Sequence, residues 1–339
     1  MPQNDSAASL SKRGKAKPRE RALRIAAAAM SAILILGAAA LAALPFIAMP
    51  MLGLTRRVAF SQVLTPEEAG LAAEPVALTT SDGLNIQAWF APPRRETAKA
   101  AVIFMSGIRY PSVTMYFPHA AWLAEEGYAS ALIETRAHGG SDGERVGLGV
   151  TEVEDAAAAV GYLMDRLPGV PIVVFGVSMG GAAAVNAFGE IPEIDALISL
   201  SAYSSWPDAF TQSMSSYYGA PRIISMIEEP FAWLYMGVTF GFDKLRINPL
   251  SEIKKADGRP ILLMHSTGDS TVPFENYEAL SEAAPRAESF LRDGDSHLIV
   301  SSEQFMTPWE DAAYAQAILD FLNDHFGDPQ PDDPPAAEY

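Results

Sequence analysis

The chain has 339 residues, 49% of them hydrophobic, enough for one large α/β core with extensions. It contains no cysteine, so disulfides, thiolate catalysis, cysteine-ligated zinc and iron–sulfur clusters are excluded. A net charge of −17 argues against nucleic acid as a partner, because phosphate binding needs a basic face.

That charge is unevenly placed. Lys12, Arg13, Lys15, Lys17, Arg19, Arg21 and Arg24 give residues 1–24 seven bases against two acids, Asp5 and Glu20. No charge follows until Arg56. A helix needs about 20 apolar residues to cross a bilayer, so residues 25–53 read as a transmembrane anchor even if Pro45 or Pro50 ends it. Bases ahead of the span predict a cytoplasmic N-terminus and an extracytoplasmic main domain, periplasmic in a bacterium. Arg56 and Arg57 weaken that bias without reversing it. The alternative is a cleaved signal peptide with Ala40-Leu41-Ala42 as its processing site. The long basic segment and the apolar run beyond residue 42 favour the anchor.

Residues 54–75 read as a linker, with a short helix possible from residue 61. Residues 84–90 alternate as a half-buried strand after the Asp82-Gly83 turn. Residues 100–105 are a short apolar run, the pattern of a strand covered on both faces. A helix over 119–126 leads to a strand over 128–133. Thr151 and Glu154 form a capping-box pattern ahead of an amphipathic helix that ends near Pro168-Gly169. Strands are expected over 172–175, 196–200, 261–265 and 286–291, with a closing helix over 309–326. Strands alternating with helices mean a mainly parallel sheet with helices on both faces. The alternation breaks over residues 202–258, which carry Trp206, Tyr217, Tyr218 and the apolar run 231–240. This insertion reads as a helical cap over the carboxyl ends of the strands, where α/β sheets place their sites. Residues 327–339 hold four prolines and four acids, a composition that cannot bury apolar surface and predicts a disordered tail. The main domain is thus expected over residues 76–326.

The most informative stretch is Val173-Val174-Phe175-Gly176-Val177-Ser178-Met179-Gly180-Gly181, followed by an Ala-rich helical run. A strand running into Gly-x-Ser-x-Gly and then a helix is the context of a serine nucleophile on a strained turn. A serine hydroxyl needs a base to take its proton, and the base needs an orienting carboxylate. In this architecture they follow in the order serine, acid, histidine. Asp269 lies four residues beyond the strand ending at His265, and His297 just beyond the last strand. Asp208, Asp293 and Asp295 compete for the acid role; the last two sit close enough to His297 to hold its loop instead. The oxyanion hole needs two backbone donors. Met179 follows the nucleophile, and Ile108 follows Gly107, whose torsional freedom is expected to turn the next amide inward. Arg109 reads as solvated, His138 as a structural loop residue, and His119, His265 and His325 as core or surface positions. No H-E-x-x-H, Walker or dinucleotide motif is present, so no metal or cofactor is expected.

On these motifs the chain resembles the α/β-hydrolases, and within them the Bem46-like and serine aminopeptidase S33-like hydrolases, many of them membrane-anchored. The resemblance runs from about residue 76 to 326. It rests on the elbow 176–181, the loop 136–143 (similar to Arg-Gly-His-Gly-x-Ser), the acid loop 268–273 and the histidine loop 294–297. It implies the α/β-hydrolase fold and cleavage of an ester, thioester or amide through an acyl-enzyme on Ser178, Asp269 and His297. A carboxylesterase or lipase-like activity on a small or lipid-like acyl substrate is the leading expectation. An acyltransferase or peptidase using the same residues and a non-catalytic membrane-anchored binding module are the alternatives. Two positions depart from the pattern: Ser106-Gly107 stands where such enzymes have His-Gly, and Ala137 replaces a glycine.

Overall fold

The computed structural model describes residues 18–328 except Leu52, Arg109, Asp208, Thr211, residues 213–218 and Ala220, and leaves out the side chains of Arg222, Ile224 and Ser225. The bases Lys12, Arg13, Lys15 and Lys17, the competitor Asp208, the aromatics Tyr217 and Tyr218, and tail residues 329–339 therefore lie outside the described residues, as does Arg109.

Eight short runs of aliphatic and β-branched residues form the strands. They are β1 (Glu74–Thr79), β2 (Asn85–Ala91), β3 (Ala101–Met105), β4 (Ala129–Ile133), β5 (Ile172–Val177), β6 (Ala196–Leu200), β7 (Ile261–Ser266) and β8 (Glu288–Arg292). They pair in one sheet ordered β1-β2-β4-β3-β5-β6-β7-β8. β2 is antiparallel to both β1 and β4, and the remaining pairs are parallel. This is the α/β-hydrolase fold, as the sequence implied. β1 was not anticipated. Its alternating exposure belongs to an edge strand whose only partner is β2, and Pro75 lowers its strand signal. β8 is the opposite edge, so Leu291 is exposed where a central strand would bury it.

The longer helices among the described residues are α1 (Pro18–Met51), α2 (Phe117–Glu125), α3 (Val153–Arg166), α4 (Met179–Glu190), α5 (Arg222–Phe240), α6 (Glu275–Ala283) and α7 (Ala312–Phe326). Side chains alternate along each strand, so the sheet feeds two cores. Ile103, Met105 and Val174 face one that includes α3 and α4; Val102, Phe104 and Phe175 face the other with α2 and α7. α1 spans 34 residues and is long and apolar enough to cross a membrane. Most of it stands free of the domain, but Pro45 and Met49 are buried, Phe46 meets the Tyr235 ring edge-on at 5.2 Å, and Tyr235 hydrogen-bonds Thr55 at 2.9 Å.

The capping box read at Thr151 and Glu154 does not form. The N-cap of α3 is Glu152, with no side-chain cap bond. Other elements claim the carboxylates first: Glu154 accepts from Ser81 and from Lys244 Nζ (2.9 Å), and Glu152 Oε1 from the Gly147 amide at 2.6 Å. Beside them, Arg136 is clamped between two acids. Its backbone amide and Nε donate to Asp155 at 2.7 and 2.9 Å, and its Nη1 and Nη2 to Asp82 at 2.7 and 3.1 Å.

The Asp155 side chain is wholly buried, so removing its cation strands a charge. Arg136→Met is expected to lower stability by about 3–5 kcal/mol, and adding Asp155→Leu to recover most of that loss. Urea denaturation of the three proteins checks both steps; equal losses in the single and double variants would contradict them.

Candidate active site

Ser178 joins β5 to α4 with φ of 58° and ψ of −122°, a left-handed backbone that a serine adopts only under constraint. The constraint is crowding. A Cβ on Gly176 would lie 2.0 Å from the Gly180 carbonyl oxygen, and one on Gly180 would lie 2.2 Å from that of Met105. Glycine at both positions lets strand and helix close on each other, and the Ser178 amide is pinned to the Leu200 carbonyl at 2.8 Å. The serine is thereby held at the N-terminus of α4, whose first amides have no intrahelical acceptor and favour negative charge.

Asp269 and His297 come from the loops after β7 and β8. His297 Nδ1 donates to Asp269 Oδ2 at 2.7 Å. Asp269 Oδ1 accepts from the Thr271 and Val272 amides at 2.8 and 3.0 Å, which fixes the carboxylate's orientation. Burial pushes the Asp269 carboxyl up, but the His297 bond and these two amides outweigh it and hold it below its ordinary value. The loops are stitched together: Gly268 N donates to Gly294 O (2.7 Å), Ser266 Oγ to Ser296 O (2.7 Å) and Thr267 Oγ1 to Asp293 (3.2 Å). Asp293 thus holds loop structure rather than the histidine.

Ser178, Met179, Ile108 and His297 line one cavity of about 190 Å³. Among the described residues, neither the Ile108 nor the Met179 amide has a hydrogen-bond acceptor, so both remain available to a ligand oxygen. The reason expected for Gly107 needs correcting, since its φ is not in the left-handed region. It must be glycine for room: a Cβ there would strike the Tyr110 ring at 2.6 Å and lie 3.3 Å from Ser178 Cβ. His138 packs behind this loop, its Nε2 3.4 Å from the Ile108 carbonyl oxygen and its Nδ1 3.1 Å from that of Arg136. Ala137 has a φ of 57°, so a glycine at that position would fit with less strain.

Several residues at the site carried no readable signal. His265 is the next-to-last residue of β7, and its Nε2 donates to the Val272 carbonyl at 2.9 Å, tying down the loop that presents Asp269; burial, the largest influence on it, holds its pKa below the ordinary value. Its position four residues before the acid was the available clue. Leu54, Leu148, Tyr203, Ala209, Gln212 and Val272 complete much of the cavity wall. Insertion residues Tyr203, Ala209 and Gln212 therefore reach the site, whereas none of residues 231–240 lines it. Among the described residues no group of three or more histidines and acids is placed to hold a metal.

The model of a family described as "Serine aminopeptidase, S33" matches residues 96–236. The uncharacterized protein YfhR of Salmonella typhi is 26% identical over 266 residues, covering 73% of this chain and 81% of that one. In structure the chain is similar to the Pyrococcus furiosus esterase Pf2001, with a TM-score of 0.60 and 23% identity over 80% of this chain and 99% of that one. It is also similar to an acylaminoacyl peptidase of Pyrococcus horikoshii, with a TM-score of 0.53 and 16% identity over 77% of this chain and 43% of that one.

The crowding at the turn has a direct test. Gly180→Ala is expected to cost stability toward the upper end of about 1–3 kcal/mol, because the atoms it meets are backbone. Gly161→Ala, at a position on α3 where a Cβ meets nothing within 4 Å, is expected instead to stabilise by about 0.4–1 kcal/mol. Thermal melts of both variants decide it; equal melting temperatures would remove the packing argument.

Proposed function

We propose that this chain, which has the α/β-hydrolase fold, is a membrane-anchored serine hydrolase that cleaves carboxylic esters through an acyl-enzyme on Ser178. The observation carrying this reading is the 2.7 Å bond from His297 Nδ1 to a buried Asp269, with His297 and Ser178 on the wall of one cavity. With Nδ1 committed to Asp269, the other ring nitrogen, Nε2, is the one left to act as base. It takes the Ser178 proton as Oγ attacks the ester carbonyl. The carbonyl π electrons move to oxygen, and the resulting oxyanion is met by the Ile108 and Met179 amides. Collapse reforms the carbonyl and breaks the bond to the alcohol oxygen, which takes the proton from His297. Water then repeats the sequence on the acyl-enzyme and releases the acid. Asp269 remains ionised throughout and keeps His297 in the tautomer whose Nδ1 carries the proton.

Ester cleavage is favoured over other acyl chemistry by the cavity wall, where Leu54, Leu148, Met179 and Val272 supply apolar surface. Among the described residues of that wall none is acidic, so none of them would hold a peptide amino terminus. On this reading Ser178→Ala loses fluorophosphonate labelling and at least about 10³-fold in esterase activity, and Asp269→Asn loses on the order of 10⁴-fold in kcat. Full labelling of a folded Ser178→Ala protein would refute the nucleophile.

The reading also takes α1 as the anchor, with the basic N-terminus in the cytoplasm and the hydrolase domain outside it. Protease added to intact spheroplasts is expected to digest the domain and leave a membrane-bound N-terminal fragment. Protection until lysis would reverse the topology, and a soluble mature form starting near Ala43 would make the segment a cleaved signal.

A further inference from the structure

Helix α5 is apolar on the wrong side for a cap facing water. Its inner face is buried through Ala232, Tyr235 and Met236, as a cap helix should be. Its outer face presents Ile223, Met226, Ile227, Leu234 and Val238, between 41% and 63% exposed, and Phe242 continues the patch at 62%. Ile223, Ile227, Leu234 and Val238 are four, seven and four residues apart, with Met226 beside Ile227, so they form one stripe. Glu229 is the only exposed charged side chain among the described ones of α5. A contiguous apolar patch of this kind marks a contact surface rather than ordinary exposure.

Its occupant is indicated by what lies beside it. Counted from Ile25, about 20 residues cross the hydrocarbon, which brings α1 to the membrane surface near Pro45. There α1 stops standing free and packs onto α5: Pro45 and Met49 are buried, and Phe46 and Thr55 both meet Tyr235. The chain thus fastens α5 where the anchor leaves the bilayer. Leu54, three residues past α1, is buried and lines the same cavity as Ser178. The cavity wall therefore begins where the membrane segment ends.

We infer that the outer face of α5, with Phe242, lies in the interfacial layer of the bilayer that α1 crosses, and that the Ser178 cavity takes a long-chain lipid ester from that layer. This deepens the reading of Ser178 as nucleophile and of α1 as anchor, and rests on both. An interfacial helix is held by its buried apolar face. A lipid ester beside Leu54 can then pass from bilayer to cavity without its acyl chain crossing water.

Because the chain has no cysteine, Val238→Cys in the full-length protein gives a single site for an environment-sensitive fluorophore. Reconstituted in phosphatidylcholine vesicles, the probe is expected to shift to the blue and be quenched by spin-labelled lipid. Emission as in water, quenched only by aqueous iodide, would overturn the inference. In a second arm, Ile227→Glu with Val238→Glu is expected to lower hydrolysis of dioleoylglycerol embedded in the vesicles at least about tenfold, because charge opposes insertion. Hydrolysis of dissolved p-nitrophenyl butyrate should be unchanged. Equal activity of wild type and double variant on both substrates overturns the inference, as does a wild type active on the dissolved ester alone. A wild type that neither cleaves p-nitrophenyl butyrate nor takes up fluorophosphonate refutes the Ser178 reading instead, and the probe's depth then decides the membrane contact by itself.

Discussion

The close approach of β5 to α4 is the constraint on which the site depends. A parallel strand followed by a helix that packs straight back on it needs a turn with almost no side chain, and Gly176 and Gly180 supply that. Ser178, midway between them, is forced into a left-handed backbone and cannot relax without separating strand from helix. Strain at Ser178 is thus maintained by the packing of the whole sheet, whose neighbouring strands β3 and β6 hold Met105 and Leu200 against the turn. The same closure brings the first amides of α4 to the cavity where Ile108 and His297 also end.

Around that rigid centre the remaining parts are held by loops fastened to one another. The loops after β7 and β8 share hydrogen bonds at Gly268, Ser266 and Thr267. Asp269 and His297 therefore move as a unit, although they lie far apart in sequence. His265 and the Val272 and Thr271 amides brace the carboxylate from the other side. Such loops can present reactive groups because the hydrogen bonds between them fix their backbones.

Much of this was legible beforehand where local pattern and tertiary context agree. β6 was read at its true bounds, because a buried central strand is a short apolar run with punctuation at both ends. The serine turn was legible because its glycines answer a local steric demand. What was missed depends on distant partners. The edge strand β1 is stabilised by pairing with β2 alone, and its sequence alternates too weakly to announce that. The Thr151–Glu154 pattern was overridden by Lys244 and Ser81, which approach Glu154 from other parts of the chain. Gly107 was read for its torsion when its role is to leave space for Tyr110. The apolar run 231–240 was read as part of a cap, and it divides between the core and an open face.

The packing of α1 on the domain has a kinetic side. Met49 and Leu54 are buried and Thr55 is bonded to Tyr235, so the end of α1 is packed onto the domain. With α1 as the proposed anchor, the enzyme would keep a constant height and orientation above the bilayer and would meet a lipid substrate by lateral diffusion in two dimensions. Its velocity would follow the mole fraction of substrate among the surrounding lipids. Diluting the membranes in buffer would leave turnover unaltered, while diluting the substrate with inert lipid would slow it.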